Sequence, residues 1–588
     1  MIDLLTLTTF IGATVLVAVL TYFFVRRMGH SDNPTEDFFT GGRMLTWPVL
    51  AGSLLLTNIS SEQLVGLNGA VFKDGNLVGI AWEAMAAFAM IATALLFLPK
   101  YLASGFTTTP AFLEKRFDKA TRQLVSGLFL FGYVTVLLPS ILYTGSLAFK
   151  TMFQLDVPLW SIILFIGLVG SGYAIFGGLK AVAVSDTFNG VGLLVGGLAI
   201  PLLALAALGE GSVSAGLSTL VTENPQSFAP LATLDRRGET VSVPWPTLIT
   251  GMMFIQVFYW STNQVVVQRA MGARSLAEGQ KGVLFASLMK LVGPLMLCLP
   301  GIVALRMTGD LQVTLDLAGL AEKLATGGAQ LTPETQAFAQ QLLANKQELI
   351  SLADAEKLYP LQSFNDQIYP AIVNKVLPSW SLGLFAAVLM GSILSSFNSA
   401  LNSASTLFSL EFYEERLDAS AYPDEASRAA KIVKVGQWFS LVLAVISMII
   451  APMLESLSSI FEYLQKANGL FSVPIISIFL MGIISKKAPA SGAKAAMALG
   501  MISYGFFTFF GIEGLHWLHG YAISFAIAVG ILVITANTSP RSAEEIEAGE
   551  KLPPPPVDMT PWGHVKHASI FVVALTALIY VGLYLVAR

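Results

Sequence analysis

The sequence predicts an all-α polytopic membrane protein with about fourteen transmembrane helices. Of its 588 residues, 54% are hydrophobic and only 12% are charged, and the mean hydropathy is +0.68. That balance is typical of chains that cross a bilayer many times. A long series of apolar segments supports the same class. Two of these segments also carry a central block of polar residues, which hydrocarbon cannot hydrate.

The apolar segments long enough to span a bilayer are numbered here from one to fourteen. They cover residues 1–25, 47–70, 78–99, 123–146, 159–179, 185–207, 246–269, 280–306, 378–407, 432–452, 459–484, 490–511, 517–537 and 567–587. Residues 307–377 are predicted to form an external loop with one or two short helices, and residues 538–566 a cytoplasmic linker.

The distribution of basic residues predicts the orientation. Arg26 and Arg27 follow segment one and no basic residue precedes it, which favours a retained helix with its amino end outside over a cleaved signal. In this orientation most of the 34 Lys and Arg residues fall in cytoplasmic loops, as the positive-inside rule requires. An even number of spans then places both termini outside.

Composition argues against several other kinds of protein. The net charge of −4 is small and gives no indication of nucleic-acid binding. The single cysteine, Cys298, excludes an intramolecular disulfide framework and disfavours a thiolate metal site. The five histidines are His30, His516, His519, His564 and His567. His516 and His519 have helical spacing, but only Glu513 lies near them, which is a weak pattern for a metal site.

The polar block in segment two is the run Leu56-Thr57-Asn58-Ile59-Ser60-Ser61-Glu62-Gln63. Such a block is stable in a bilayer only where it faces a protein interior or a wet cavity. Glu62 is its most unusual member, because an unpartnered carboxylate at the membrane centre is costly. The run therefore predicts a binding site at a broken helix, whose free carbonyls could hold a cation. A helix–helix hydrogen-bonding face is the structural alternative.

Segment seven is interrupted in a corresponding place, by Ser261-Thr262-Asn263-Gln264. Paired interruptions indicate a secondary transporter built from two inverted repeats with its site at the midplane. The predicted organisation is a first helix with a cytoplasmic loop (1–46), a first repeat (47–207), a second repeat (246–484) and three final helices (485–588).

Segment nine carries a polar stripe on one helical face, formed by Ser392, Ser395, Ser396, Ser399, Asn402, Ser403 and Thr406. Small hydroxyl residues in membrane helices are also common packing contacts. Seven on one face point instead to an ion site. The hydroxyls of Ser395 and Ser396, with carbonyls from a broken helix, would give Na⁺ five oxygen ligands without a carboxylate.

The chain resembles the solute:sodium symporter family, most closely its sodium/sugar branch, which is typified by the bacterial sodium–galactose symporter. The residues that carry this resemblance are Asn58–Gln63, Gly177-Gly178-Leu179, Tyr259–Arg269, the segment-nine stripe, Asp37–Arg43, Pro110–Phe117 and Leu401–Thr406. The resemblance implies a LeuT-type 5+5 inverted-repeat fold. It also implies Na⁺-driven symport by alternating access in a bacterial inner membrane.

The resemblance also implies the roles of particular residues. The sodium site would use the carbonyls of Leu56, Ile59 and Ser392 with the hydroxyls of Ser395 and Ser396. The sugar pocket would be lined by Asn58, Gln63, Glu83, Gln256, Lys290 and Gln465. The inner gate would be Tyr259, and the outer gate would be Phe461 with Leu67 and Trp82. Asp186 and Ser399 match a second sodium site or a sodium exit, although Asp186 could equally cap a helix.

Some positions depart from the sodium–galactose pattern. Leu67, Trp82, Ala86 and Gln256 replace a methionine, a tyrosine, a serine and an asparagine, which leaves the identity of the sugar open. Segment four has no arginine, whereas the sialic-acid branch uses one there for the substrate carboxylate. The sequence therefore favours a neutral sugar over an acidic one.

The predicted function is Na⁺-coupled uptake of a neutral, hexose-like sugar, with one sodium ion bound first and no organic cofactor. A symporter of another small solute, such as a polyol, an amino acid or a vitamin, is the alternative. A transporter-like sensor is disfavoured because the 538–566 linker is too short to hold a signalling domain. A membrane enzyme is disfavoured because no intramembrane histidine or nucleophile–base set is present.

Overall fold

Helices account for nearly all of the structure, a computed structural model that describes residues 3–28, 34–326, 332–359, 361–417, 422, 424–457, 460–512, 514–550 and 554–588. Helix is found at all fourteen predicted segments. Their helices are Leu4–Arg27, Trp47–Asn58 with Ser61–Asp74, Leu77–Ser104, Lys119–Phe153, Leu159–Gly172, Gly178–Leu208, Leu248–Ser261 with Gln264–Met271, Leu276–Lys290 with Pro294–Ala304, Ser379–Phe408, Glu425–Ile450, Ile460–Ile484, Ala490–Phe510, His519–Thr538 and Val565–Val586.

Within the described residues, ten of these helices are long and apolar enough to cross a membrane, and the bent pair in segment eight raises the number to eleven. The other three predicted segments, two, five and seven, are helical but too short in any one piece to pass that test. The chain is therefore a multi-pass membrane protein of the predicted all-α class.

Segments two and seven are both broken inside their polar blocks. In segment two, Ile59 (φ −80°, ψ 87°) and the extended Ser60 separate the two helical halves. In segment seven, Thr262 and Asn263 separate them, and the Asn263 side chain accepts a hydrogen bond from the Val265 amide. Polar side chains thus take over from the helical hydrogen bonds where the helices stop.

Segment eight has a break that the sequence analysis did not predict. Its halves, Leu276–Lys290 and Pro294–Ala304, are inclined at 42° to each other. Pro294 has no backbone N–H, and its ring clashes with the preceding turn, which accounts for the kink. Segments five and six form one helical run that turns sharply at Gly178, where φ is +60°, a value that glycine adopts readily.

The same end of the molecule holds the start of segment two and the end of segment seven. Leu45 donates its amide to the Gly272 carbonyl (3.0 Å) and accepts a hydrogen bond from the Arg274 amide (3.1 Å). This short parallel bridge joins the first helices of the two predicted repeats.

The 307–377 loop is more elaborate than the one or two helices expected. Strands Gln312–Thr314 and Leu349–Ser351 pair antiparallel. The helices of this loop are Leu317–Thr326, Pro333–Ala344, Leu352–Glu356 and Ile368–Val376. Remaining short helices outside the spans include Pro34–Thr40, Thr109–Arg116, Val213–Glu223 and Ala543–Glu550. His30 and Glu513 lie outside the described residues.

Asn68 links the outer half of segment two to the break in segment eight. Its side-chain amide donates to the Leu64 carbonyl (2.8 Å) and the Met296 carbonyl (3.1 Å), and its oxygen accepts from the Gly301 amide (2.9 Å). The side chain is fully buried. One residue therefore satisfies main-chain groups that the kink leaves without helical partners.

We predict that Asn68→Leu lowers the melting temperature of the purified protein, because it orphans the Met296 carbonyl and the Gly301 amide in a dry interior. Each unsatisfied buried group costs about 1–3 kcal/mol. Asn537→Leu is the matched control, since the exposed Asn537 bonds only within its own helix. Equal melting temperatures for the two variants would contradict the role given to Asn68.

Candidate functional site

The break in segment two lies against segment nine. The Ser392 hydroxyl donates to the Ile59 carbonyl at 2.8 Å, and the Ser396 hydroxyl lies 3.5 Å from the Leu56 carbonyl. Because the helix stops at Asn58, these carbonyls have no helical partners. Four of the five residues predicted to bind sodium are thus brought together, Leu56, Ile59, Ser392 and Ser396, although Ser392 contacts the break through its hydroxyl and its carbonyl was predicted. Hard oxygens of this kind suit a small cation such as Na⁺.

The fifth predicted ligand, Ser395, lies on the same buried stretch of segment nine. Its hydroxyl is beside Asp186 but has no hydrogen bond of regular geometry within the described chain. Ser395 is 3% exposed.

A cavity of about 70 Å³ adjoins this cluster, and we call it the inner cavity. Predicted sugar-binding and gating residues that line it are Asn58, Gln63, Gln256, Gln465, Tyr259, Trp82 and Phe461. Ser396 lines it as well, so the cavity and the carbonyl–hydroxyl cluster share a wall. Amide groups around the edge and aromatic rings on the faces are suited to a polyhydroxylated ligand.

The amides of the inner cavity differ in how far they are already bonded. Gln256 donates its Nε2 to the Trp82 carbonyl at 2.8 Å. The Gln63 side-chain oxygen is buried and has no hydrogen-bond partner among the described residues. The acceptor oxygen of Gln63 is therefore left without a protein donor among the described residues.

Glu83 and Lys290 form a buried ion pair, 2.5 Å apart, that does not line the inner cavity. The Lys290 ammonium also donates to the Asn58 side-chain oxygen and lies 5.7 Å from the centre of the Trp260 ring. The pair is thus linked to the cavity wall by the hydrogen bond from Lys290 to Asn58. In this structure it holds that amide in place from behind.

A second cavity of about 390 Å³, the outer cavity, lies beyond Trp82 and Phe461. These two residues and Gln465 line both cavities. The rings of Trp82 and Phe461 meet edge to face with centroids 5.1 Å apart. A Cβ on Gly66 would come within 2.6 Å of Phe461 Cβ, so glycine allows this close approach. Leu67 is buried in the core and lines neither cavity.

Tyr259 lies next to Asn58 in the wall of the inner cavity. Its ring meets that of Trp260 edge to face at 5.4 Å. Beyond it, the Tyr133 hydroxyl donates to the Asn263 side-chain oxygen at 2.7 Å, at the break in segment seven. Tyr259, Tyr133 and Asn263 all line this cavity.

Asp186 and Ser399 come together around Arg269. The Arg269 guanidinium lies 3.9 Å from the Asp186 carboxylate and donates to the Ser399 hydroxyl. Ser53 donates to Asp186 at 2.8 Å and accepts from Arg269 at 2.9 Å. All four side chains are fully buried. A cation at Asp186 would therefore share the carboxylate with a guanidinium, which the sequence analysis did not foresee.

The inner cavity also has lining residues to which the sequence analysis assigned no role, among them Thr57, Glu62, Tyr133, Asn263 and Asn468. Thr57, Glu62 and Asn263 belong to the polar blocks, so a signal existed. Asn468 lies three residues after Gln465, on the same helical face. Tyr133 is an aromatic residue in an apolar run and gave no signal. No His, Cys, Asp or Glu cluster suited to a metal is found in the described part of the chain.

Comparison with known sequences identifies the family. The sequence model of the sodium:solute symporter family matches residues 38–330 and 337–500. The symporter YidK of Escherichia coli (strain K12) is 35% identical over 98% of this chain and 90% of its own length. The sodium/glucose cotransporter of Vibrio parahaemolyticus is 33% identical, covering 79% and 77%. The sodium/myo-inositol cotransporter 2 of Oryctolagus cuniculus is 28% identical, covering 83% and 68%.

Comparison with solved structures shows the fold. A Na⁺-coupled sialic acid symporter in a substrate-bound, outward-open state gives a TM-score of 0.70 at 19% identity, covering 92% of this chain and all of that one. The nucleobase-cation-symport-1 transporter MHP1, in a closed conformation, gives 0.51 at 14% identity, covering 89% and 99%. These are LeuT-type folds, as the sequence predicted. The chain is a Na⁺-coupled membrane transporter rather than an enzyme, and it belongs to the sodium:solute symporter family.

Proposed function

We propose that this symporter couples inward Na⁺ movement to uptake of a neutral, hexose-like sugar across a bacterial inner membrane, with both termini outside. The observation that carries the proposal is the shared wall between the inner cavity and the carbonyl–hydroxyl cluster. Ser396 belongs to both, and Asn58 lines the cavity one residue before Ile59. Sodium and solute can therefore act on one short stretch of backbone.

The proposed sodium shell is made of the carbonyls of Leu56, Ile59 and Ser392 with the hydroxyls of Ser395 and Ser396. Sodium bound there would hold the segment-two break against segment nine. Asn58 and Gln63, on either side of that break, would then be positioned for the solute. Each ligand raises the affinity for the other by the same factor, as linkage requires.

A neutral sugar is supported by the chemistry of the inner cavity. Gln63, Gln256 and Gln465 offer amide donors and acceptors to hydroxyl groups, while Trp82 and Tyr259 offer faces to the ring. The printed name of a 33% identical relative, a sodium/glucose cotransporter, points the same way. Glu83 and Lys290 belong to the proposed sugar site as the pair that fixes Asn58, with Lys290 reaching hydroxyls if the cavity widens.

Alternating access is proposed to use the two aromatic closures of the inner cavity. Binding pockets for small ligands have volumes of about 300–1,000 Å³, whereas the inner cavity has about 70 Å³. The closures must therefore part to admit a hexose. Trp82 and Phe461 form the proposed outer gate, with Leu67 behind them, and Tyr259 forms the inner gate.

We propose one sodium ion per cycle. The alternative second site at Asp186 and Ser399 is already served by the Arg269 guanidinium, which neutralises the carboxylate and bonds the hydroxyl. A second sodium would have to displace that contact. Asp186 is more simply explained as the partner of Arg269.

A cyclic polyol is the second candidate solute. The name of a 28% identical relative, a sodium/myo-inositol cotransporter, favours it, and a ring of hydroxyls would suit the same amides. An amino acid or a vitamin remains a chemical alternative that no contact in the inner cavity specifically favours.

Uptake into proteoliposomes tests the proposal. Labelled glucose, galactose, myo-inositol and an amino acid mixture are presented with an inward Na⁺ gradient, and with choline in place of sodium. We expect accumulation of a hexose that requires sodium, because the shell that positions Asn58 and Gln63 depends on the ion. Sodium-dependent uptake of myo-inositol alone would favour the second candidate. Hexose uptake that ignores the replacement of sodium would overturn the coupling.

Removal of hydroxyl ligands should weaken sodium binding. We predict that Ser396→Ala raises the Na⁺ concentration for half-maximal uptake about tenfold, corresponding to about 1.4 kcal/mol, with a smaller change in the KM for sugar at saturating sodium. Ser405→Ala is the matched control on the same helix. Ser405 is equally buried, and its hydroxyl has no hydrogen-bond partner among the described residues. A sodium dependence altered equally by both substitutions would argue against the shell.

Removal of one member of the Glu83–Lys290 pair should cost more stability than removal of both. Either single change leaves an uncompensated buried charge, at about 3–5 kcal/mol. We therefore predict a higher melting temperature for the double variant Glu83→Gln with Lys290→Met than for either single variant. Hexose uptake by the folded double variant then reports on binding: an unchanged KM would remove the pair from the sugar site.

A further inference from the structure

Glu62 is the residue of the segment-two block to which the proposed function assigns no role. It is the second residue of the helix Ser61–Asp74, immediately after the break. Its side chain is 8% exposed and lines the inner cavity, and its Oε2 atom has no hydrogen-bond partner within the described chain. Buried carboxylates are almost always paired, because an isolated charge in a dry interior is costly.

The other buried carboxylates of this region are neutralised by the protein. Glu83 lies 2.5 Å from Lys290, and Asp186 lies 3.9 Å from Arg269. None of these four side chains lines the inner cavity. Of the described residues that do line it, Glu62 alone carries a formal charge. Among the described residues, the wall of the inner cavity therefore has one carboxyl group, that of Glu62, and no cationic side chain to pair with it.

The helix that begins at Ser61 would stabilise a negative charge on Glu62, but it does not explain why the Oε2 atom lacks a hydrogen-bond partner. The amino end of a helix carries roughly half a positive charge, which stabilises an acid in the first turn. That effect does not depend on an oxygen that lacks a partner. Glu62 lines the cavity with the Ser60 hydroxyl beside it, and its Oε2 atom is an acceptor that makes no hydrogen bond of regular geometry among the described residues.

We infer that Glu62 contacts the solute by accepting a hydrogen bond from a hydroxyl or an ammonium group, and that it selects solutes by charge. Neutral sugars and amino sugars are accepted, and sugar acids are excluded. This inference rests on the proposed sugar uptake and narrows its substrate class. An ammonium group gains a charge-assisted hydrogen bond with Oε2. A carboxylate brought into the same small cavity meets a like charge at low dielectric.

Competition against sodium-driven uptake of labelled glucose or galactose tests the inference. The competitors are the parent hexose, the matching 2-amino sugar and the matching uronate, at pH 6 where the amine is protonated. For the unmodified protein we expect the amino sugar to compete within about threefold of the parent, and the uronate to compete about 100-fold less well, since each tenfold corresponds to about 1.4 kcal/mol.

Glu62→Gln removes the charge with little change of shape. We expect it to weaken competition by the amino sugar about tenfold relative to the parent, and to strengthen competition by the uronate. Glu62→Asp retains the charge and should restore the original order. Glu462→Gln is the control, because Glu462 lines the outer cavity and pairs with Lys466 at 2.6 Å. The control should leave both ratios unchanged.

Two results would overturn the inference while sodium-driven hexose uptake persists: unchanged ratios in Glu62→Gln, or equal changes in Glu62→Gln and Glu462→Gln. The first means that Glu62 does not contact the solute, and the second means that the effect is a general one of charge. Absence of sodium-dependent hexose uptake in the unmodified protein would remove the proposed function, and this inference with it. Sodium-dependent thermal stability of each variant verifies that it is folded.

Discussion

The interruption of segment two at Ile59 and Ser60 is the constraint on which the rest of the structure depends. A helix that stops inside the bilayer exposes main-chain carbonyls where water is absent, and each unsatisfied group there costs several kcal/mol. Segment nine answers this need, since Ser392 donates to the Ile59 carbonyl and Ser396 lies beside the Leu56 carbonyl. The hydroxyls of Ser392 and Ser396 therefore stabilise the fold, because they lie against carbonyls that the broken helix leaves without partners. The same oxygens are then available to a small cation.

Charge neutrality is the second theme of this interior. The two cationic side chains that are fully buried among the described residues each lie against one carboxylate: Lys290 against Glu83, and Arg269 against Asp186. A shell of neutral oxygens around a sodium ion would add one positive charge to this balanced set. An ionised Glu62 carboxylate would supply one negative charge nearby. The loaded centre would then be neutral as a whole, which is the state that a low-dielectric interior favours.

The sequence was sufficient for the class of fold and for the position of both interruptions, because polar blocks inside apolar runs have few stable explanations. Leu56, Ile59, Ser392 and Ser396, which were predicted as sodium ligands, lie together at the break, although Ser392 contacts it through its hydroxyl and not through the predicted carbonyl. The sequence did not predict that Glu83 and Lys290 lie behind the cavity rather than in its wall. Whether a helical residue lines the cavity depends on how its helix is rotated about its own axis against the neighbouring segments. The hydrophobic periodicity of the sequence does not determine that rotation. The proline at position 294 is a sequence signal for the kink in segment eight. No sequence signal indicated that Tyr133, an aromatic residue in an apolar run, would line the inner cavity.

The short bridge at Leu45 restricts how the protein can open. Its two main-chain hydrogen bonds, to Gly272 and from Arg274, join the start of segment two to the end of segment seven. Separating these ends would leave the main-chain groups of both hydrogen bonds without partners. We therefore expect the two interrupted helices to move as one unit at that end. This connection between the two repeats is made by main-chain groups, so it places no demand on the side chains that line the inner cavity.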